Sequence, residues 1–433
     1  VSTPTPSREL NSWKEIAGFL GVSVRTAQKW EAERGLPVRR LPGARGPVSV
    51  ELGELEAWRD STRPETEQAA HAQVLGQRPL RLAVLVLVVL AGSLGAYLAM
   101  NRKGPPALFR VELNAFIVSD EHGRELWRKV FKEPLYIDAY SGQPARTALR
   151  QMVQFDDLDG DGHVEVLFVH LPVVFSPEGS ALHCFSDKGI EKWRFVPGRT
   201  VSTPSEVFAP PYGVTAYGVV PMGKDRARAI VFSSCHAEYY PDQVVLLSAK
   251  GEVLREYWHS GCLGTMEVAD LDGDGRPEIY LGGVSNAYKQ ATLVVLGPDS
   301  FGGASVETEN PAYQLQGFAP GNEIARILFP RTCINRKFEP FNGASRFVMR
   351  PDSLTVFVNE FVGEQRNAPV LYLLGKDLSL EGAEFEFQFR ALHAELASTG
   401  QLDHSLSAAE EAQLRNIRYL PAGLSKGTSA KRR

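Results

Sequence analysis

The sequence predicts a multidomain chain: a small, mainly α domain, one transmembrane helix and a large all-β domain of repeated blades. Three observations predict it. An uncharged run of 19 residues, 82–100, divides two unlike halves. Before the run, apolar residues recur at helical spacing between capping serines and glycines. After it, a strand–turn–strand phrase recurs. At 433 residues the chain is too long for one ordinary domain. Its 43% hydrophobic and 23% charged residues exclude a disordered or collagen-like chain. A net charge of −4 excludes a bulk nucleic-acid binder. The charge is uneven, however: residues 1–81 carry 12 Lys+Arg against 10 Asp+Glu, and the remainder 35 against 41. Any nucleic-acid site therefore belongs near the N-terminus.

Residues 1–61 read as short helices around a turn. Ser12 caps a helix with Trp13, Ile16, Ala17 and Leu20 on one face. Gly21-Val22 make the turn, Ser23 caps a second helix from Val24 to about Arg34, and Gly35 ends it. Val24, Ala27 and Trp30-Glu31 read as facing or flanking the core, while Arg25, Thr26, Gln28 and Lys29 project outward. Leu36–Arg40 and Pro47–Val50, joined by the turn 42–46, read as a hairpin wing. A last helix, Glu51 to about Ser61, carries Leu52, Leu55 and Trp58. The module is thus a small winged helix-turn-helix, in which the start of the second helix enters the major groove.

That order of elements resembles the excisionase/MerR-type winged DNA-binding domain over about 12–60. The matching residues are Ile16-Ala17, Leu20-Gly21-Val22-Ser23, Arg25-Thr26, Gln28-Lys29-Trp30, Gly35-Leu36-Pro37 and Leu55-Glu56-Ala57-Trp58. The resemblance implies DNA as a partner. Arg25, Thr26, Gln28 and Lys29 would face bases and phosphates, and Arg39, Arg40 and Arg45 would hold the backbone from the wing. The alternative is a solvated basic face on a protein-binding module.

Residues 62–81 are polar and unpatterned, a linker. The run 82–100 follows, and at about 1.5 Å per residue it nearly matches a hydrocarbon core of about 30 Å. Eighty residues precede it, unlike a signal peptide, and no polar stripe marks it as a core helix. Flanking charges tie, with Arg63, Arg78 and Arg81 before it against Arg102, Lys103 and Arg110 after it. The DNA-binding reading sets the orientation instead. The N-terminus is expected in the cytoplasm and the C-terminal domain outside, across an inner (cytoplasmic) membrane spanned once. All four cysteines (Cys184, Cys235, Cys262, Cys333) follow the span, as suits an oxidising compartment. Small residues four apart, Ala91/Gly95, Gly92/Ala96 and Gly95/Ala99, would allow a homodimer through the span.

Residues 104–400 alternate apolar runs with turns. Asn114–Arg128, Ala181–Phe195 and Gln243–Tyr257 share one phrase, and Ala291–Ser305 and Pro369–Phe385 are looser copies. Turn glycines Gly123, Gly189 and Gly251 stand 66 and 62 residues apart. Periods of this size mark stacked blades, which predicts a β-propeller of five to seven. Two acidic loops sit within the pattern. The first runs Asp157, Asp159, Asp161, His163, Glu165; the second runs Asp270, Asp272, Asp274, Arg276, Glu278. Acids at positions 1, 3, 5 and 9 converge if the chain curls, which the intervening glycines permit. Hard carboxylate oxygens at that density suit Ca²⁺, with the carbonyls of His163 and Arg276 as further ligands, hence two calcium sites. The loops are not EF-hands, because Phe168 and Leu281 stand where the twelfth-position acid would be.

The loop D-x-D-G-D-G-x-x-E running into a strand resembles the FG-GAP/VCBS repeats of integrin-α-type propellers, over roughly 110–390. The turn Gly223–Arg226 lacks the acids, so no metal is carried over there. The phrase D-x-x-G-x-x-x-W is similar to blades of pyrroloquinoline-quinone enzymes, but no nucleophile–base pair accompanies it and no enzyme is expected. His183-Cys184, Cys235-His236 and His259…Cys262 lack finger or ribbon spacing, so no zinc is expected from them. In the tail, 401–433, Ser407–Glu410 is a capping box opening a surface helix to about Arg418, and Lys431–Arg433 are basic.

The combination reads as a membrane-anchored one-component transcriptional regulator whose external domain senses a ligand or partner. The rival is a cell-envelope adhesion or binding protein with the N-terminal module as an interaction anchor.

Overall fold

The computed structural model describes residues 9–40, 47–62, 84–95, 103–140, 152–173, 180–222, 227–238, 240–360 and 368–421. The chain divides into two compact units, Val1–Arg102 and Lys103–Arg433.

In the first unit, helices α1 (Trp13–Leu20) and α2 (Val24–Arg34) begin and end where their capping residues dictate. Ser12 Oγ accepts the Glu15 N–H and Ser23 Oγ accepts the Thr26 N–H, satisfying amides that a helix start leaves orphaned. Gly21 and Gly35 close the two helices at φ 68° and 64°, a conformation costly for other residues. Strands Arg39–Arg40 and Val48–Glu51 pair as the expected wing. Glu9–Leu10, unmarked by any pattern, pairs on the other side of Val48–Glu51. Helix α3 (Leu52–Ser61) follows. Ile16, Leu36, Val48, Val50 and Leu55 form one core. The Trp58 indole N–H donates to the Arg34 carbonyl and its ring lies 5.9 Å from Trp30, which fastens α3 to the end of α2. One expectation fails: Val24 is 39% exposed. It occupies the first helical position, beyond the edge of the core, and only Ala27 one turn later reaches the interior.

Residues 84–95 of the expected span are helical and exposed throughout. No helix among the described residues is long and apolar enough to cross a membrane. Residues 82–83 and 96–100 of that span lie outside the described residues, as do linker residues 63–81.

The second unit is mostly β and propeller-like. Its main elements are five antiparallel sheets in chain order. The first comprises Leu108–Glu112, Ala115–Ser119 and Glu125–Val130; the second Val153–Asp156, Glu165–His170, Ala181–Phe185 and Glu191–Phe195. The third holds Tyr212–Met222, Ala227–His236, Asp242–Ser248 and Val253–His259. Leu263–Ala269, Glu278–Ser285, Gln290–Leu296 and Ala325–Phe329 make the fourth, and Gly343–Arg350, Ser353–Asn359, Pro369–Gly375 and Leu380–Phe385 the fifth. Successive sheets share cores, and strand alternation divides the side chains between them. In the third sheet Ile230, Phe232, Val245 and Leu247 pack toward the first two sheets. Their neighbours Ala229, Val231, Val244 and Leu246 pack toward the fourth. A strand covered on both faces reads as a continuous apolar run, which is why inner strands such as Val244–Leu247 do not alternate in sequence.

The recurring phrase has a structural reason. Trp127 of the first sheet lies on the turn of the second: its indole N–H donates to the Asp187 carbonyl at 3.0 Å, and a Cβ on Gly189 would stand 2.6 Å from its ring. Trp193 repeats this on the third sheet, donating to Ala249 at 2.8 Å with Gly251 beneath it. Both glycines also have φ of +78°, so neither the ring nor the turn tolerates a side chain there.

Three expectations are corrected. Ala291–Ser305 is no hairpin, because Gly303–Ala304 pairs in parallel with Tyr257 and Trp258 of the third sheet. Ala325–Phe329 takes the expected place beside Gln290–Leu296. The tail helix is Ala408–Gln413, shorter than expected, and Arg418–Leu420 is instead a fifth strand of the fourth sheet. The helix lies on the surface as expected and Lys431–Arg433 lie outside the described residues, but Leu402 and Leu414 beside it join the core that also takes Phe389, Leu392 and Leu396 from helix Phe387–Ser398. Lastly, among the described residues no core cluster joins the first sheet to the fifth, so five stacked sheets are seen rather than a closed ring.

Candidate functional site

The two acidic loops each link a sheet's first strand to its second, and their backbones are nearly superposable in pattern. In the first, Asp157 Oδ1 and Oδ2 accept the N–H groups of Gly160 (2.8 Å) and Gly162 (3.0 Å). In the second, Asp270 accepts those of Gly273 (2.8 Å) and Gly275 (2.9 Å). Asp159 takes the Asp161 amide and Asp161 the His163 amide; Asp272 and Asp274 do the same for Asp274 and Arg276. Glu165 and Glu278 each reach back to the amide of the leucine at the loop's second position. The glycines curl the chain, with φ between 76° and 87°.

Three of the four predicted acids converge in each loop. Carboxylate oxygens of Asp157, Asp159 and Glu165 lie within 4.8 Å of one another, and those of Asp270, Asp272 and Glu278 likewise. Asp161 and Asp274 are not in these groups and hold the turn instead. The His163 ring lies 3.2 Å from Asp187.

Sequence reasoning missed what fills the space beside each cluster. In the first loop, Lys192 from the sheet's fourth strand places its ammonium 2.7 Å from Glu165 and 3.0 Å from Asp159. Those hydrogen bonds raise the Lys192 pKa and hold Asp159 below the usual carboxylate range. The second loop has no such cation among the described residues. The Tyr280 hydroxyl donates to Glu278 at 2.9 Å, while burial, aided by the charge of Asp272, pushes Glu278 upward. Tyr280 was readable by aligning the two copies, since the first has Leu167 at that position. Lys192 had no signal, because it arrives by strand pairing from another part of the chain.

On the N-terminal unit, Arg25, Gln28 and Lys29 are exposed on α2, as expected. Thr26 is half-buried, and its hydroxyl lies 2.7 Å from that of Ser23 within the cap. Lys29 is 3.8 Å from Glu33. The wing departs further from expectation: Arg39 pairs with Glu54 at 2.7 Å, and Arg40 grips Glu31 with two hydrogen bonds of 3.0 and 2.6 Å. Both guanidinium groups are paired within the module while staying more than half exposed. Arg45 lies outside the described residues, as does the turn Gly223–Arg226. Cys235 and Cys262 meet with Asp242 inside 4.8 Å, but that carboxylate already accepts from Ser233 and the Leu263 amide.

No protein-family model matches the sequence, and no curated protein matches it. Among solved structures, the chain is similar to BamB from Moraxella catarrhalis at 11% identity and a TM-score of 0.28, over 66% of this chain. The chain spans 62% of that protein's length. It is also similar to BBS1N in complex with ARL6DN at 12% identity, TM-score 0.23, over 56% of this chain and 83% of that one. A third likeness is to the V. cholerae biofilm matrix protein Bap1, at 11% identity and TM-score 0.22, over 64% of this chain and 56% of that one. At scores this low the likenesses decide nothing about function, and the propeller-like class rests on the stacked sheets themselves.

Proposed function

We propose that the protein is a membrane-anchored one-component regulator with a DNA-binding N-terminal module and a calcium-stapled, propeller-like binding domain outside the membrane. The observation that carries the DNA reading is the start of α2. Arg25, Gln28 and Lys29 stand exposed there, on a module whose core is complete without them. That is the surface a recognition helix offers to base edges and phosphates. The apolar run 82–100 supplies the anchor, and its small residues supply a route to pairing two modules on one palindrome. Calcium fits the second loop as it stands, with three converged carboxylates and no internal cation. It fits the first only if Lys192 moves aside. The ion's part is to hold strands together rather than to react.

Residues 1–62, alone and artificially dimerised, should retard the DNA upstream of the protein's own gene selectively in a gel shift. The retention should weaken steeply with added salt and vanish when Arg25→Ala and Lys29→Ala are combined. Retention that is absent, or blind to sequence in both forms, would overturn the reading. One observation favours the rival, a cell-envelope binding or adhesion protein: with Arg39 and Arg40 held by Glu54 and Glu31, the described wing offers no unpaired cation to a phosphate backbone.

A further inference from the structure

Four side chains of metal-binding type meet where the C-terminal segment packs against the core. Cys333, His393, His404 and Glu410 each bring one donor atom, and all four atoms lie within 4.8 Å of one another. His404 Nε2 is 3.1 Å from Glu410 Oε1, and His393 Nε2 is 3.8 Å from the same oxygen. A tetrahedral zinc ion with bonds of about 2.0–2.3 Å sets its ligand atoms about 3.3–3.8 Å apart, so these edges are already close to those of a loaded site.

Each donor is held from behind. Cys333 opens the short helix Cys333–Phe338, whose Thr332 cap accepts the Asn335 N–H. Glu410 is the third residue of its helix, and its Oε2 accepts from the Ser407 N–H (2.9 Å) and hydroxyl (3.0 Å). That capping box leaves Oε1 for the cluster. His404 Nδ1 lies 2.7 Å from Asp403, and donating there turns the Nε2 lone pair toward the other three donors. A carboxylate behind the remote ring nitrogen is how metal-binding histidines are commonly oriented. His393 supplies the independent observation. It is 1% exposed, it sits on helix Phe387–Ser398, and its Nε2 is buried without a hydrogen-bond partner. A buried imidazole nitrogen left unpaired costs free energy, and here it faces a thiol, a second imidazole and a carboxylate.

We propose that Cys333, His393, His404 and Glu410 form a zinc site that fastens the C-terminal segment to the fourth and fifth sheets. Thiolate and two imidazoles select a borderline-soft transition ion over calcium, which takes oxygen ligands. Zinc binds the Cys333 sulfur as thiolate, and the thiol proton passes to solvent. The two negative ligands then balance the dication. Cys333 follows the strand Ala325–Phe329, while His404 and Glu410 lead into Arg418–Leu420, which pairs with that same strand. The ion therefore pins both ends of the connection that completes the fourth sheet.

The test uses the full chain, solubilised in detergent and purified without a metal-affinity tag, with zinc measured by mass spectrometry and cobalt(II) as a spectroscopic substitute. About one zinc per chain is expected, together with a thiolate-to-cobalt charge-transfer band and tetrahedral d–d bands. Cys333→Ser should lose the charge-transfer band, while Cys262→Ser should keep it. His404→Gln, at a side chain 41% exposed, should weaken zinc binding at least ~100-fold while a thermal melt checks that the variant is folded. No stoichiometric uptake after incubation with zinc and gel filtration would overturn the site. So would uptake that survives both Cys333→Ser and His404→Gln.

Discussion

Loops 157–165 and 270–278 share one backbone and differ in what neutralises them. In the second sheet, Lys192 reaches the cluster with a side chain 34% exposed, onto a Glu165 carboxylate only 2% exposed. The same sheet has its turn pinned by Trp127. In the fourth sheet neither device is present among the described residues, and the segment after its turn, Gly303–Ala304, pairs with the third sheet instead. The loop there holds a partly protonation-prone Glu278 and the hydroxyl of Tyr280. One copy of the motif is thus completed by a lysine of the chain itself, and the other has no such cation among the described residues. Nearly identical loops do not make identical sites, because the decisive group comes from the far edge strand of the sheet.

The largest effect expected from this contrast is on calcium. If the second loop is the working site, calcium about a hundredfold above its Kd should stabilise the C-terminal unit by about 2.7 kcal/mol. Asp270→Asn should remove most of that gain, while Asp157→Asn should leave most of it. Thermal melts of the full chain with calcium and with chelator measure the difference. Equal losses from the two substitutions would break the comparison.

A smaller effect is expected from Lys192→Met. Without the ammonium, the buried Glu165 carboxylate keeps only the Leu158 amide. The chelated protein should lose about 1–3 kcal/mol, the usual cost of stranding a buried polar group. Added calcium should restore it, and calorimetry should show a second calcium bound more tightly than in the wild type. Destabilisation that calcium leaves unrepaired would mean that Lys192 is a strand staple rather than a stand-in for a cation.

How much of this was legible in the sequence depends on distance along the chain. Local devices were readable: Ser12, Ser23, Gly21 and Gly35 set the helices of the first unit, and Gly123, Gly189 and Gly251 set the turns. The curl of each acidic loop was readable for the same reason, since every hydrogen bond in it spans a few residues. The docking of the C-terminal segment was not, because helix Phe387–Ser398 and the returning strand Arg418–Leu420 owe their places to a shared core and to pairing with distant Ala325–Phe329. The cysteine–histidine cluster was invisible for the same cause. Its ligands come from three helices and one loop and keep no motif spacing. The wing arginines show the converse error: Arg39 and Arg40 looked available in sequence, yet Glu54 and Glu31 stand beside them in space.

The smallest predicted effect is on pH dependence, where the two loops should differ in sign. Glu278 has a folded-state pKa above its unfolded value of about 4.3, chiefly because burial disfavours its charge. The folded state then binds the proton more tightly, so this group's penalty is relieved as pH falls through the raised value toward about 4.3. Asp159 is the reverse. Its folded pKa lies below about 3.9 because of Lys192, so its contribution persists above that value and is lost as pH falls below it. In chelator, the stability of wild type minus Glu278→Gln should therefore rise on acidification from neutral pH to about 4.3, whereas wild type minus Asp159→Asn should stay flat there and fall only below about 3.9. Buried His183 and His259, pushed down to about 4 and about 3, destabilise the fold increasingly as pH drops below about 6.5. That background is common to all the variants and cancels in each difference. Calcium bound at the second loop should abolish the Glu278 slope, since a cation fixes its carboxylate in the charged form. A slope that calcium leaves unchanged would place the ion elsewhere.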